Sequence, residues 1–369
     1  LIVEQRVVAV RSILADNGWD AILITNPANR RYLTGFTAED HAADESSGAL
    51  VIAEQSAELY VSPTNLPWAN AEVDQDVVTV VATQQSWVAS AAEQIESLGA
   101  VVVAVEDTTT SAASWFMLQE KVGSAATLVR ANSAVDALRA RKSPEEVELL
   151  AQAASSTDQA FAHAASRFKQ GMTERQAADL VRDTLQKFGS EGEAFDTIVA
   201  AGPNAAKPHH RPGHRELQPG EPIIIDMGAR IDGYNGDLTR TVCLGKPDER
   251  LVTIYEAILA AQAAGLAAIR AGVQCSAPDL ATRAVFAKLG LEDYVIHSAG
   301  HGLGLRVHES PSVSKRATGM LESGYVVTME PGLYLPDWGG VRIEDVALVE
   351  DGGYRNLTSA SKGVGSMSI

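Results

Sequence analysis

Apolar positions alternate along the first third of the chain between two periods. The opening stretch LIVEQRVVAVRSILADNG sets Glu4, Arg6 and Arg11 within an apolar pattern of helical spacing, so it predicts an amphipathic helix rather than a cleaved leader. Five short apolar runs follow, DAILIT, GALVIA, AELYVS, VVTVV and AVVVAVE, with a turn expected at Asn26-Pro27. Helical and strand patterns in alternation predict an α/β domain over residues 1–138. In LRARKSPEEVELL the punctuation changes: Ser143 suits an N-cap, Pro144 the first helical turn, and Glu146 completes a capping box. A second domain, 139–369, is expected from there. Within it a coarse repeat of roughly a hundred residues is visible. The first unit has the helix after Ser143, a second with Thr173 and Gln176 as its capping box ending near Gly189, then strands to Leu244. The second has helices from about Asp248 to Arg270 and from about Ser276 to Lys288, then strands to Val349. Two such halves facing each other would form a central cleft.

Composition narrows the reading. A chain of 369 residues that is 46% hydrophobic can build large cores, and its length favours two domains. No segment is long and apolar enough to span a membrane, and a cytoplasmic location is expected. The net charge of −17 argues against nucleic acid as a partner, because neutralising phosphates takes clustered Lys and Arg. Cys243 and Cys275 are the only cysteines, too few for a disulfide framework, and both read as buried apolar residues.

The candidate chemistry starts in PIIIDMGARIDGYNGDLTRTVCL. Asp232-Gly233 between apolar runs is a favoured two-residue hairpin turn, so Ile231 should pair with Tyr234 and, without a bulge, Gly228 with Asp237. Asp226 then shares a face with Gly228 and becomes the diagonal neighbour of Asp237. Two carboxylates so placed repel unless one is protonated or a cation bridges them. The alternative is that one of them faces solvent or caps the turn, since a bulge would break the register. Two further acids bear on that choice: Glu330 closes the strand-like YVVTME, and Glu344 lies in VRIEDV, where Arg342, Glu344 and Val346 would share one strand face. For Glu344 an internal ion pair with Arg342 is the competing reading. Three of the eight histidines, His297, His301 and His308, fall in IHSAGHGLGLRVHESP.

The ordered segments DMGARIDGYNGDLTRT, HSAGHGLGLRVHESP, TMEPGLYLPDWGG and VRIEDV resemble the pita-bread metallopeptidases, specifically the prolidase and aminopeptidase P branch. NPANRRYLTGF extends the resemblance more loosely into the first domain. It implies a creatinase/prolidase-type N-terminal α/β domain before a pita-bread catalytic domain of pseudo-two-fold α+β design. The implied ligands of two divalent ions are Asp226 on one, His301 and Glu330 on the other, and Asp237 and Glu344 on both. Carboxylates with one imidazole favour manganese, with cobalt or zinc possible. The resemblance makes Glu330 the general base, His308 the histidine at the substrate carbonyl, His209 a proton-shuttle or substrate-binding group, and His297 a pocket-lining residue. Arg342 is also a candidate for substrate binding. His210 and His214 are expected in surface loops.

The implied reaction is hydrolysis of the bond between an N-terminal residue and proline, in a homodimer acting on small peptides. A metal-free creatinase-like hydrolase and a non-catalytic binding homologue are the alternatives, disfavoured because all five ligand types are present. Arg306 shares strand parity with His308 if that segment is extended, and could then hold the carboxylate of a dipeptide. The acidic stretch with His41, Asp44 and Glu45 could reach a neighbouring cleft, or be a solvated loop.

Overall fold

A computed structural model describes residues 2–40 and 45–369, which form two compact units, Leu1–Arg139 and Ala140–Ile369. His41 and Asp44 lie outside the described residues, and Glu45 is exposed.

The first unit is built on a six-stranded mixed sheet. Its central strand, Ala21–Ile24, is buried on both faces, pairing antiparallel with Gly48–Ala53 and parallel with Val102–Val105. The helices Trp87–Leu98 and Ala112–Val122 cover one face through Val88, Ile95 and Leu118. Asn26-Pro27, expected as a turn, instead starts a helix, Pro27–Thr34. The Asn26 side chain accepts from Ala28 N at 3.0 Å, and proline occupies the first turn, where its missing N–H costs nothing.

In the second unit one order of elements occurs twice. The helices Pro144–Ala165 and Glu174–Lys187 carry complete capping boxes at Ser143/Glu146 and Thr173/Gln176. They pack Phe161, Val181 and Leu185 onto Ile223, Ile225 and Leu238 of a three-stranded sheet, Leu238–Val242, Ile223–Met227 and Ile198–Ala201. In the second half Glu249–Ala267 and Ala277–Lys288 accompany a five-stranded sheet, in which Leu266 and Ile269 meet Val327, Met329 and Ala347. Each such side chain taken fully from water contributes about 1.5–3 kcal/mol.

Strand parity decides what faces the other way. Ile225 and Leu238 point to the helices, so Ile224, Asp226, Asp237 and Thr239 take the opposite sheet face, where Ile224 packs near Tyr334. In the second half Val327 and Met329 point to the helices, which puts Thr328 and Glu330 on the reverse side. Both sheets therefore direct their polar chemistry away from the helical layer.

Candidate metal centre

The Asp232-Gly233 turn has φ of 44° and 73°, the left-handed pair that a type I′ hairpin requires. Ile231 pairs with Tyr234, and the same register continues to Met227 opposite Leu238 and Asp226 opposite Thr239. Asp226 and Asp237 are thus diagonal neighbours across an unslipped ladder. Glycine is needed in between: a Cβ on Gly228 would sit 2.0 Å from the Gly236 carbonyl oxygen.

The strand Gly300–Gly302 supplies His301. Here too the glycines admit the protein's own backbone, since a Cβ on Gly300 would lie 2.1 Å from the Thr328 carbonyl oxygen. The His301 Nδ1–H donates to the Gly302 carbonyl at 3.1 Å, which leaves Nε2 as a lone pair. That atom stands 3.7 Å from Asp237 Oδ2 and 3.5 Å from Glu330 Oε1. One donor atom each from Asp237, His301 and Glu344 falls within 4.8 Å of the others.

Glu344 comes from a junction rather than from a strand face. The chain pairs with Gly332–Leu335 up to Arg342 and with Val326–Met329 from Asp345 onward. Arg342 and Glu344 nevertheless both line the cavity, with Val341 and Ile343 turned into the core, while the competing ion pair between them is not formed among the described residues. Arg342 Nη2 bonds Asp226 Oδ2 at 2.6 Å instead. Its Nε donates to Thr239 Oγ1 at 3.1 Å, and that hydroxyl donates to Glu344 Oε2 at 2.9 Å. Its Nη1 donates to the Tyr334 hydroxyl at 2.7 Å. With all three nitrogens engaged, Arg342 holds Asp226 and, through Thr239, Glu344 in place.

Tyr334, which the sequence reading passed over, carries the chain of bonds further. Its hydroxyl meets His297 Nε2 at 2.7 Å, while His297 Nδ1 bonds the Ser298 carbonyl at 2.6 Å. His297 lines the cavity with both nitrogens occupied, so it shapes the site and has no nitrogen left for a substrate.

The cavity, about 420 Å³, also contains His209 and His308. His308 lies edge-on to His301 with ring centroids 4.3 Å apart, and no described residue hydrogen-bonds it. Burial, then His209 and Arg306, lower its pKa, so the ring is neutral at pH 7. Arg306 is exposed and does not line the cavity. Residues 304–308 form bends rather than a strand, so parity with His308 does not apply, and the Arg306 N–H bonds Glu309 Oε1 at 2.8 Å. His210, expected in a surface loop, is anchored through Nε2 to the buried Glu174 at 2.8 Å; His214 is exposed.

Electrostatics set the site apart from an ordinary buried network. Burial, then the neighbouring Asp226 and Glu330, push the Asp237 carboxyl well above the usual range, and burial with Asp237, Glu330 and Asp226 does the same to Glu344. Burial raises Glu330 to about 7, with Arg342 opposing and Asp226 adding to the shift. His301 falls to about 4, chiefly through burial and then through His308. Asp226 Oδ1 is buried without any hydrogen-bond partner. Mutually repelling carboxylates, a neutral imidazole with its lone pair turned inward and an orphaned oxygen fit divalent cations.

A stability test follows for the metal-free protein. Glu330 keeps its proton in the folded chain up to about 7, against 4.5 as its ordinary value, so its contribution is present below 4.5 and lost as pH rises through 7. The lowered His301 and His297 work oppositely, but only between about 4 and 6.5. Above pH 6.5 the carboxylates act alone: the denaturation midpoint of the metal-free protein is expected to fall from pH 6.5 to about 8. The metal-loaded protein should hold or gain stability over the same range, because its ligands bind as anions. Parallel slopes would contradict the electrostatic account.

This fold is that of the pita-bread hydrolases. The protein belongs to metallopeptidase family M24, whose sequence pattern matches residues 148–351, and the creatinase/prolidase N-terminal domain pattern matches residues 6–141. It is 31% identical over 361 residues to the Xaa-Pro dipeptidase of Pyrococcus furiosus, spanning 97% of this chain and 99% of that one. Its structure is similar to that of the Xaa-Pro dipeptidase from Bacillus anthracis, with a TM-score of 0.92, 30% identity and all of both chains covered. It is also similar to the X-Pro aminopeptidase from Thermotoga maritima, with a TM-score of 0.85 and 29% identity over 95% of this chain and 98% of that one. Among the described residues no helix is long and apolar enough to cross a membrane.

Proposed function

We propose that the protein is a two-metal peptidase that hydrolyses the bond between an N-terminal residue and proline. The observation that carries this reading is the convergence of Asp237, His301 and Glu344 within 4.8 Å in a chain of family M24. Asp226 would hold one ion, His301 and Glu330 the other, and Asp237 and Glu344 both. Manganese suits this hard donor set, with cobalt or zinc as alternatives. Bound there, two divalent ions supply Lewis acidity to the scissile carbonyl and lower the pKa of the attacking water.

The remaining steps belong to side chains. Glu330, beside the attacking water, takes its proton and delivers it to the proline nitrogen, which leaves as a secondary amine. His308, neutral and unpartnered, donates to the carbonyl oxygen as negative charge develops there. Phe195, Ile198, Pro208 and Val307 give the cavity an apolar wall for the proline ring. His209, which lines the same cavity, shuttles protons or binds substrate.

The test is an assay of the metal-stripped protein on a Xaa-Pro dipeptide and a Xaa-Pro tripeptide, before and after adding manganese, cobalt or zinc. Turnover should be absent before addition and return with metal. Turnover that metal does not change would favour a metal-free hydrolase. Bound metal with no turnover on either peptide would favour a binding protein.

A further inference from the structure

A second groove, of about 540 Å³, borders the metal-site cavity, and Phe195, Ile198 and His209 line both. It holds three arginines, Arg175, Arg182 and Arg211, with Asp179 and Asp196. Arg182 is committed to Glu193 at 2.6 Å and to Asp179 at 2.8 Å. Arg175 and Arg211 are exposed, and neither guanidinium has a partner among the described residues. These two cations offset the negative charge that Asp179, Glu193 and Asp196 leave beside Arg182, so the groove is not acidic in a chain of net charge −17.

The groove is built rather than incidental. Glu174, fully buried, accepts from Ala201 N at 2.9 Å, Asn204 Nδ2 at 3.0 Å and Gly213 N at 3.1 Å, and pairs with His210 Nε2 at 2.8 Å. Those bonds fix the loop that carries His209 and Arg211. His210 is pinned inward, and the residues on either side of it are left to face the open space.

The metal-site cavity lacks what a dipeptide would need. Among the described residues its only guanidinium is Arg342, already spent on Asp226, Thr239 and Tyr334. A proline carboxylate would find no free Lys or Arg there. A peptide with its scissile carbonyl at His308 and its proline ring against Phe195 and Ile198 would pass its next residue over these shared side chains into the groove.

We propose that this groove is the subsite for the residue after proline, and that Arg175 and Arg211 select peptides of three or more residues with an acidic side chain at that position. The inference rests on the Xaa-Pro reading. Its test compares kcat/KM of the metal-loaded enzyme on Ala-Pro-Asp-amide and Ala-Pro-Lys-amide, with the C-termini blocked so that only the side chain differs. The wild type should prefer the acidic peptide by about five- to tenfold, the value of one or two charge-assisted contacts at an exposed site. The preference should shrink with added salt. In the Arg175→Glu, Arg211→Glu double variant the order should reverse, with the basic peptide gaining in absolute rate, which a misfolded protein could not show. Turnover of both peptides without charge preference, or the same preference in wild type and variant, would overturn this inference alone. No turnover on any Xaa-Pro peptide would remove the proposed function and this inference with it.

Discussion

Asp237→Asn and Glu344→Gln are each expected to leave a folded chain that binds fewer than two metal ions and loses at least about a hundredfold in turnover, since disturbing partners of metal ligands alone costs about ten- to a hundredfold. The reason lies in what the two carboxylates face. Asp237 and Glu344 are both buried, and each is pushed up by that burial and then by the other acids of the cluster, so removing one charge relieves desolvation and repulsion in the metal-free protein. Neither amide changes side-chain shape, and the ladder that positions Asp237 is backbone bonding that the substitution does not touch. The metal-free variants should therefore melt no lower than the metal-free wild type at pH 7.5. Metal binding is where the loss should appear, because an amide oxygen offers no charge to two cations. Elemental analysis checks this directly: two ions per chain in either variant would overturn the assignment of shared ligands. A melting point well below that of the metal-free wild type would show that these acids stabilise the fold in some other way.

What the sequence made legible, and what it hid, follows from the reach of each interaction. Asp226 and Asp237 could be brought together on paper because a two-residue Asp-Gly turn sets a register by counting, and nothing shifts it before Thr239. The helices after Ser143 and Thr173 were readable because a capping box closes within four residues. Glu344 resisted the same treatment. Its side chain shares the cavity with Arg342 as alternation implies, but the chain exchanges one partner strand for another between Arg342 and Asp345, and such an exchange leaves no local mark. The true partner of Arg342, Asp226, lies 116 positions away. Tyr334 was hidden for a related reason, since an aromatic residue in a buried strand reads as core until its hydroxyl is seen between Arg342 and His297. His210 was assigned to a surface loop because Glu174, which anchors it, looks in sequence like any acid in a first helical turn. Arg306 shows the converse difficulty: its argument needed an extended segment, and residues 304–308 form bends instead.

His308→Ala should bind both metals, fold normally and turn over at least about a hundredfold more slowly, the range for losing a positioned donor or proton-transfer group. The two adjacent histidines are separated by their hydrogen bonds. His301 commits Nδ1 to a backbone carbonyl and presents Nε2 to Asp237 and Glu330, whereas His308 has no hydrogen bond with any described residue and stands edge-on at 4.3 Å. A neutral ring in that position can give a proton to a developing oxyanion without competing for a cation. Burial, then His209 and Arg306, outweigh Asp226 and keep the His308 pKa below the usual value, so the ring stays neutral at pH 7. The loss should fall mainly on kcat, because the interaction strengthens as charge appears on the carbonyl oxygen. His301→Ala is the contrast: metal content should fall along with turnover. If His308→Ala turns over at the wild-type rate, the ring does not touch the reacting carbonyl; if it loses metal while His301→Ala keeps it, the two histidines have exchanged roles.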